Sequence, residues 1–480
     1  MAAQFDVDPS LSPWTPQERE SFFAAIARHR RAAWRVTAVS GLCAAVVALI
    51  VAILMSPIYY ALIGLALDVV NWFVHTPDLI RTVTDNIGEI IDHPEHLTVG
   101  RALYLAMLAA LPGLLVMALT LNTLARVMRE AMSPEAADIQ AREPRLGELG
   151  EQRFANVVAE MALAAAIPCP HVLVTDSDSA NAAAFGRSDG EVTLVVTTGL
   201  LTTLNRAELQ AVAGHLVGSV ADGDMQIGTR IATVLSLFGL IARLSGSFAD
   251  REAARRLAKL LRASLRHGAS AADGELALVI ANPFSDAENS GRDRSGNTSN
   301  KVPWRTWAWM PLVGPLVISG FFGGMISTML LGPLLSLSWR SRKYMADATA
   351  VRLTRDPDAL ATALSKMSGT AVQGAFSAWT SHMSVVPDTS ARSRNLFSGS
   401  TVRMSPSYER RLTALRKMGA QTSVSKRASL PFAAWLVIAP LIAIVVGLLG
   451  VALFLLVYIS VALSGFFTWL PAILLHAMLR

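Results

Sequence analysis

A chain of 480 residues of which 52% are hydrophobic and only 16% charged is too apolar for an ordinary soluble protein, where charged residues run near 25%. The deficit sits in a few long uncharged runs, the pattern of membrane spans. The formal net charge of +6 comes from basic residues near the ends of those runs, a topology signal. With no Arg/Gly repeat, aromatic-studded basic patch or Cys/His finger beside it, a nucleic-acid partner is excluded.

In chain order, residues 1–35 read as a cytoplasmic N-terminal segment. Thr15-Pro16-Gln17-Glu18 has the form of a capping box with proline at the first helical position. The helix ends in Arg28, Arg30, Arg31 and Arg35, which hold the N terminus in the cytoplasm. It reads equally as a membrane-surface amphipathic helix and as a solvated one. No cleavable signal peptide is expected, because the first apolar run is longer than an h-region of about 7–15 residues and lacks a small-residue cleavage site. Residues 36–126 form an N-terminal transmembrane hairpin. Val36–Leu67 is uncharged and exceeds the ~20 residues a span needs, with Pro57, Tyr59 and Tyr60 at its outer end. The acidic segment 68–100 suits the non-cytoplasmic side, and Ala102–Ala125 returns ahead of Arg126 and Arg129.

Residues 127–228 are a first soluble stretch. Apolar spacing predicts a helix over Glu148–Ala166; HVLVTDS (171–177) and EVTLVVTTGLL (191–201) read as strands. The segment NAAAFGRSDG between them reads as a loop, and Asn205–Met225 follows as a helix. Residues 229–339 are a membrane insertion. Ile231–Ala242 is short for a span and reads equally as a re-entrant or interfacial helix. Arg251–Arg266 is a basic amphipathic helix suited to anionic lipid or to a domain surface. Residues 286–301 have the composition of a disordered linker, and Trp307–Trp339 is one tilted span or a tight hairpin. Residues 340–427 are a second soluble stretch. Ala428–Leu479 carries no formal charge and reads as a two-span hairpin within residues 428–480, with Lys426, Arg427 and Arg480 holding both ends in the cytoplasm. The two cysteines, Cys43 and Cys169, form no framework and read as small buried side chains.

The stretch that organises the rest is Asn205–Met225, NRAELQAVAGHLVGSVADGDM. A zinc-peptidase helix carries H-E-x-x-H, two His one turn apart on the metal and a Glu that activates water. Here the register gives His215, Leu216 and Ser219. Around it stand Pro168, the strand into Asp176, Asn181-Ala182, Phe185-Gly186 and Thr197-Thr198-Gly199-Leu200-Leu201. Leu204-Asn205-Arg206, Glu208-Leu209, Ala211-Val212 and Asp224-Met225 lie on or beside the helix. Further on come Ala346-Asp347-Ala348, Arg352-Leu353-Thr354, Asp356-Pro357, Ala359-Leu360, Glu409-Arg410-Arg411-Leu412 and Leu415. In this order the chain resembles the HtpX-type membrane zinc metallopeptidases, peptidase family 48.

The resemblance implies an α+β, mostly helical fold: a polytopic α-helical membrane protein of the bacterial inner membrane with a cytoplasmic gluzincin-like metallopeptidase domain. It also implies a zinc held by two His and a carboxylate, with an open water position and a Glu base. This chain departs from that set. His215 keeps the first ligand position, but Leu216 replaces the base and Ser219 the second His. The family's E-[YF]-x-A-D reads Lys343-Tyr344-Met345-Ala346-Asp347, putting a lysine at the ligand carboxylate. Its T-H-P reads Met404-Ser405-Pro406. A Ser219–His215 nucleophilic pair lacks an orienting group, and His171 and His382 have no ligand spacing to His215. No metal or other cofactor is therefore expected, and zinc belongs only to the reading in which catalysis survives.

Asp347, Asp222 and Asp224 are expected as relics of the site, with Lys343 replacing the metal's charge and pairing with one of them. The strand Glu191, Thr193, Val195, Thr197 is a candidate peptide-binding edge. The expected function is that of a pseudoprotease that binds membrane-protein substrates or a membrane partner, with protein quality control carried over by analogy. The alternatives are an active zinc metalloendopeptidase with rearranged ligands and a structural membrane scaffold.

Overall fold

The structure is a computed structural model that describes residues 20–93, 98–131, 139–186, 192–247, 332–370, 383–386, 405–421 and 469–479, with the single positions 255, 258 and 262. The capping box at Thr15–Glu18, the linker 286–301, most of the helix 251–266, the run 307–331, Glu191, His382 and Met404 lie outside them. In chain order the first helices are α1 (Phe22–Val70), α2 (Leu79–Asp92) and α3 (Val99–Ala131). Then come β1 (Ala141–Arg142), α4 (Leu149–Ala165), β2 (His171–Thr175), β3 (Ala182–Gly186) and β4 (Val192–Thr197). The helices α5 (Thr198–Thr203), α6 (Arg206–Ala221), α7 (Asp224–Ser247), α8 (Gly332–Thr354), α9 (Pro357–Thr370) and α10 (Tyr408–Lys417) follow, and α11 is Trp469–Leu479. Two compact units divide this set. One comprises residues 1–37, 132–228 and 336–426; the other comprises residues 38–131, 229–335 and 427–480.

In the second unit α1 and α3 form an antiparallel pair. Gly113 lies so close to the Ala52 backbone that a Cβ has no room, and the Tyr60 hydroxyl donates to the Leu108 carbonyl at 2.7 Å. The helix does not stop near Pro57: α1 continues to Val70 as a 49-residue helix. At 1.5 Å per residue it is about 74 Å long, against ~30 Å for the hydrocarbon core. Its portion Phe22–Ile53 is the one helix among the described residues long and apolar enough to cross a membrane.

The first unit is built on a four-stranded sheet of order β1-β2-β4-β3, with β2 and β4 parallel and the outer pairs antiparallel. The sequence expectation fails twice here. Ala182–Gly186 is a strand, not a loop. Alanine has weak strand propensity, but the segment is buried along its whole length, and small side chains are what fits there. The run EVTLVVTTGLL is also not one strand. The Thr197 hydroxyl accepts from the Leu200 amide at 3.2 Å, and this N-cap turns the chain into α5.

The candidate peptide-binding strand is corrected as well. Thr193, Val195 and Thr197 lie in β4, which is paired with β2 on one side and β3 on the other, so no backbone edge is left for a peptide. The outer edge of β3 meets the chain itself: Ala183 bridges Ser384 and the Val385 amide donates to the Ala182 carbonyl at 2.8 Å. The Asn181 amide side chain donates to the Val386 carbonyl at 2.8 Å and fixes this segment.

The helix read over Asn205–Met225 is two. A capping box of Asn205 with Glu208 starts α6. The chain breaks at Asp222-Gly223, where Gly223 takes a left-handed φ of 70°, and α7 begins at Asp224. The apolar core joins α4, α6, the sheet, α9 and α10 through Phe154, Leu194, Leu209, Val212, Leu364 and Leu415. Ala25 and Ile26 of α1 pack on Met345 and Ala348 of α8. His29 stacks on Tyr344 at 5.2 Å, and the Arg355 guanidinium lies 4.5 Å from the Phe22 ring centroid. The start of α1 is therefore not a free solvated helix, because Ala25 and Ile26 pack against α8, while Phe23 and Trp34 stay exposed. Cys169, in the turn between Pro168 and Pro170, is exposed rather than buried, and Cys43 is half-buried.

Candidate functional site

Two helices place the former ligand positions. α6 and α8 meet closely at Gly218, where a Cβ would come within 2.8 Å of the Thr349 methyl. That approach puts His215 and Asp347 side by side, both fully buried. His215 Nδ1 lies 2.8 Å from Asp347 Oδ1. Arg411 of α10 grips the same carboxylate with two donors, Nη2 at 2.6 Å and Nε at 2.9 Å. Its Nη1 donates to the Val385 carbonyl at 2.5 Å. Burial pushes the Asp347 carboxyl up, but Arg411 and His215 more than reverse this and hold it well below the usual carboxylate range. Burial lowers His215 to about 4 against the opposing pull of Asp347, so its ring is neutral at pH 7. His215 Nε2 has no hydrogen-bond partner among the described residues.

On the other side the replacements are engaged elsewhere. The Ser219 hydroxyl donates to Asp224 Oδ2 at 2.8 Å, and Arg342 Nε lies 2.6 Å from Asp224 Oδ1. Arg342 also donates to the Asp222 carbonyl at 2.8 Å. The Asp222 side chain accepts from Thr349 at 3.2 Å and faces Arg30 at 3.8 Å. Burial raises Asp224 to about 6, with Arg342 and Ser219 opposing; it also raises Asp222. The expected pairing of Lys343 with an aspartate is not observed. Its Nζ donates to the Ser384 carbonyl at 2.7 Å, because Arg411 holds Asp347 and Arg342 holds Asp224. Burial, and then Arg411, lowers Lys343 to about 7.

The remaining positions divide. Leu216 is buried in the core, and Ser405 is at the edge of burial with its hydroxyl oxygen unpartnered among the described residues. His171 is half exposed and lies 2.9 Å from Glu143. Arg342 and Arg411 were missed as site residues. Arg411 stands inside the Glu409–Leu412 motif, and Arg342 immediately precedes Lys343, so the signal in each case was an arginine next to a position already under suspicion.

The donor set does not fit a zinc ion. Zinc takes thiolate, imidazole or carboxylate. Around His215 the described residues offer a hydroxyl committed to Asp224, an ammonium, and a carboxylate held by Arg411. Among the described residues no cluster of three His, Cys, Asp or Glu side chains has ligand geometry. No hydrolytic step is derived through a metal here.

Residues 148–419 match the sequence profile of Peptidase family M48, which is more than half of the chain. The chain belongs to peptidase family M48. Among curated relatives, M48 similarity extends to a Protease HtpX homolog of Streptococcus equi subsp. equi (strain 4047), 30% identical over 45% of this chain and 57% of the relative. A Protease HtpX homolog of Thermoanaerobacter pseudethanolicus (strain ATCC 33223 / 39E) is 28% identical over 44% of this chain and 55% of the relative. The match thus spans little more than half the length of these relatives. No solved structure matches. As an HtpX-type M48 member the chain is metallopeptidase-like, and the family is one of zinc peptidases. His215 and Asp347, the positions at which the sequence resemblance expects M48 residues to be kept, lie side by side.

Proposed function

We propose that this M48 protein is a pseudoprotease: a polytopic protein of the bacterial inner membrane whose cytoplasmic peptidase-like domain binds a membrane-protein partner without cleaving it. The observation that carries the reading is the satisfaction of both lost ligand positions within the protein, Ser219 on Asp224 and Lys343 on the Ser384 carbonyl. Leu216 at the base position cannot accept a proton. A role in membrane-protein quality control belongs to the same proposal, by analogy with the relatives.

Elemental analysis of the purified chain beside His215→Ala tests it. No zinc in either supports a pseudoprotease. About one zinc per chain, lost in the variant, revives a metalloendopeptidase with rearranged ligands. A second reading, a scaffold that binds no peptide, is favoured by the occupation of the β3 edge by Met383–Val386. Cross-linking in intact membranes separates the two. Partner adducts on the peptidase-like domain support the binder, and adducts confined to the membrane helices support the scaffold.

A further inference from the structure

The corner where α1 ends and α2 begins holds a charged cluster that the peptidase-like domain does not use. Asp68, in the last turn of α1, is almost fully buried. Asp78 caps α2, accepting from the Arg81 amide at 3.0 Å. His476 of α11 meets both carboxylates: Nδ1 lies 2.7 Å from Asp68 Oδ2 and Nε2 lies 3.3 Å from Asp78 Oδ2. Next to it the Trp72 indole donates to the Leu479 carbonyl at 3.1 Å. One or two turns back, Ala472 packs with Ala61 and Ile80, and Trp469 and Leu65 lie against them.

These contacts define a direction. As α1 and the turn after it advance through residues 61, 68 and 72, their partners on α11 advance through 472, 476 and 479. The two helices therefore run parallel. Ionisable groups at the end of an apolar helix are costly unless paired, and the His476 ring, with one carboxylate at each nitrogen, ties this end of α11 to this corner. Trp72 and Phe73, strongly exposed beside it, suit the aromatic belt of a membrane–water boundary.

We infer that α11 runs in the same sense as the end of α1 and that Leu479 lies beside Asp68 and Asp78, on the non-cytoplasmic face. This rests on the membrane reading proposed above. This places Leu479 on the face opposite to the one expected from Arg480; a single arginine is a weak topology signal beside a His–carboxylate tie and an indole hydrogen bond.

The test places single cysteines in the full-length protein with Cys43→Ser and Cys169→Ser. Met478→Cys reports the C terminus and Leu163→Cys the peptidase-like domain, both at well-exposed positions. Right-side-out and inverted membrane vesicles are treated with a membrane-impermeant maleimide. Labelling of Met478→Cys in right-side-out vesicles and of Leu163→Cys in inverted ones, each at least about tenfold over the opposite orientation, is expected under the non-cytoplasmic assignment of the acidic segment. Labelling of both from the same face overturns the inference. Carbonate extraction tests the membrane reading separately. Release from the membrane defeats that reading, whereas retention with same-face labelling defeats only the direction of α11. A short bismaleimide should also bridge Trp72→Cys and Leu479→Cys within one chain, and failure to bridge would count against the parallel register.

Discussion

Asp347 and Asp224 are carboxylates buried to nearly the same extent, yet they are shifted in opposite directions from the ordinary carboxylate range. Asp347 receives two well-aligned N–H groups from Arg411 and sits 2.8 Å from His215, and it stays ionised. Asp224 has one arginine nitrogen at 2.6 Å, but that contact lacks hydrogen-bond geometry; only Ser219 donates to it properly. Burial therefore lifts it to about 6. At Asp347 the charge of Arg411, the contact with His215 and the fork of hydrogen bonds together outweigh desolvation, whereas at Asp224 the charge of Arg342 and the Ser219 hydrogen bond do not. Beside His215 the Asp347 carboxylate accepts two hydrogen bonds from Arg411, although neither nitrogen of the His215 ring has a hydrogen-bond partner among the described residues.

The largest effect should come from breaking the fork on Asp347. Arg411→Met leaves Asp347 buried and charged against a neutral His215, at a cost of about 3–5 kcal/mol, read as a fall in unfolding free energy in detergent. A loss below about 1 kcal/mol would mean that the carboxylate is solvated by other means. Lys343→Glu should come next, at about 3 kcal/mol. Its carboxylate would face the Ser384 carbonyl, an acceptor opposite an acceptor, and no peptide hydrolysis should appear. Unchanged stability would show that the position adapts, and recovered zinc binding would point back to a peptidase.

Lys343 also gives a pH signature. Its folded-state pKa of about 7 lies below the ordinary value near 10.4, so between these two pH values the unfolded chain binds a proton that the folded one does not. Stability then rises with pH across that window. Unfolding measured at pH 7 and pH 10 should show the wild-type chain gaining about 3 kcal/mol relative to Lys343→Met. Parallel profiles for the two proteins would sink the assignment. Gly218→Leu should cost about 1–3 kcal/mol by overpacking against Thr349, with a correspondingly lower midpoint in the same unfolding assay.

Much of this arrangement was legible before the fold. The register His215, Leu216, Ser219, Lys343 and Asp347 follows from motif spacing, and α4, β2 and most of β4 follow from periodicity and β-branched runs. Three things were not legible, for physical reasons. Ala182–Gly186 forms a strand because tertiary burial overrides weak local propensity. The pairing of Arg411 with Asp347 and of Arg342 with Asp224 depends on long-range geometry that no spacing encodes. The use of Ala25 and Ile26 against α8 was hidden because an amphipathic face looks the same whether it meets lipid, water or another helix.

That last contact supplies the smallest predicted effect. Arg30 faces Asp222 at 3.8 Å, but its side chain is 68% exposed, so the pair is screened by water and should contribute less than about 1 kcal/mol. The seam of Ala25 and Ile26 on Met345 and Ala348 is buried and excludes water. Arg30→Ala should therefore leave the unfolding midpoint almost unchanged, whereas Ile26→Ala should lower it, by about 2 kcal/mol or more in stability. If the order were reversed, charge at the rim rather than the apolar seam would be what fixes the start of α1 on α8. Burial, which dominates the shift of Asp224, would then not outrank charge proximity at this exposed pair.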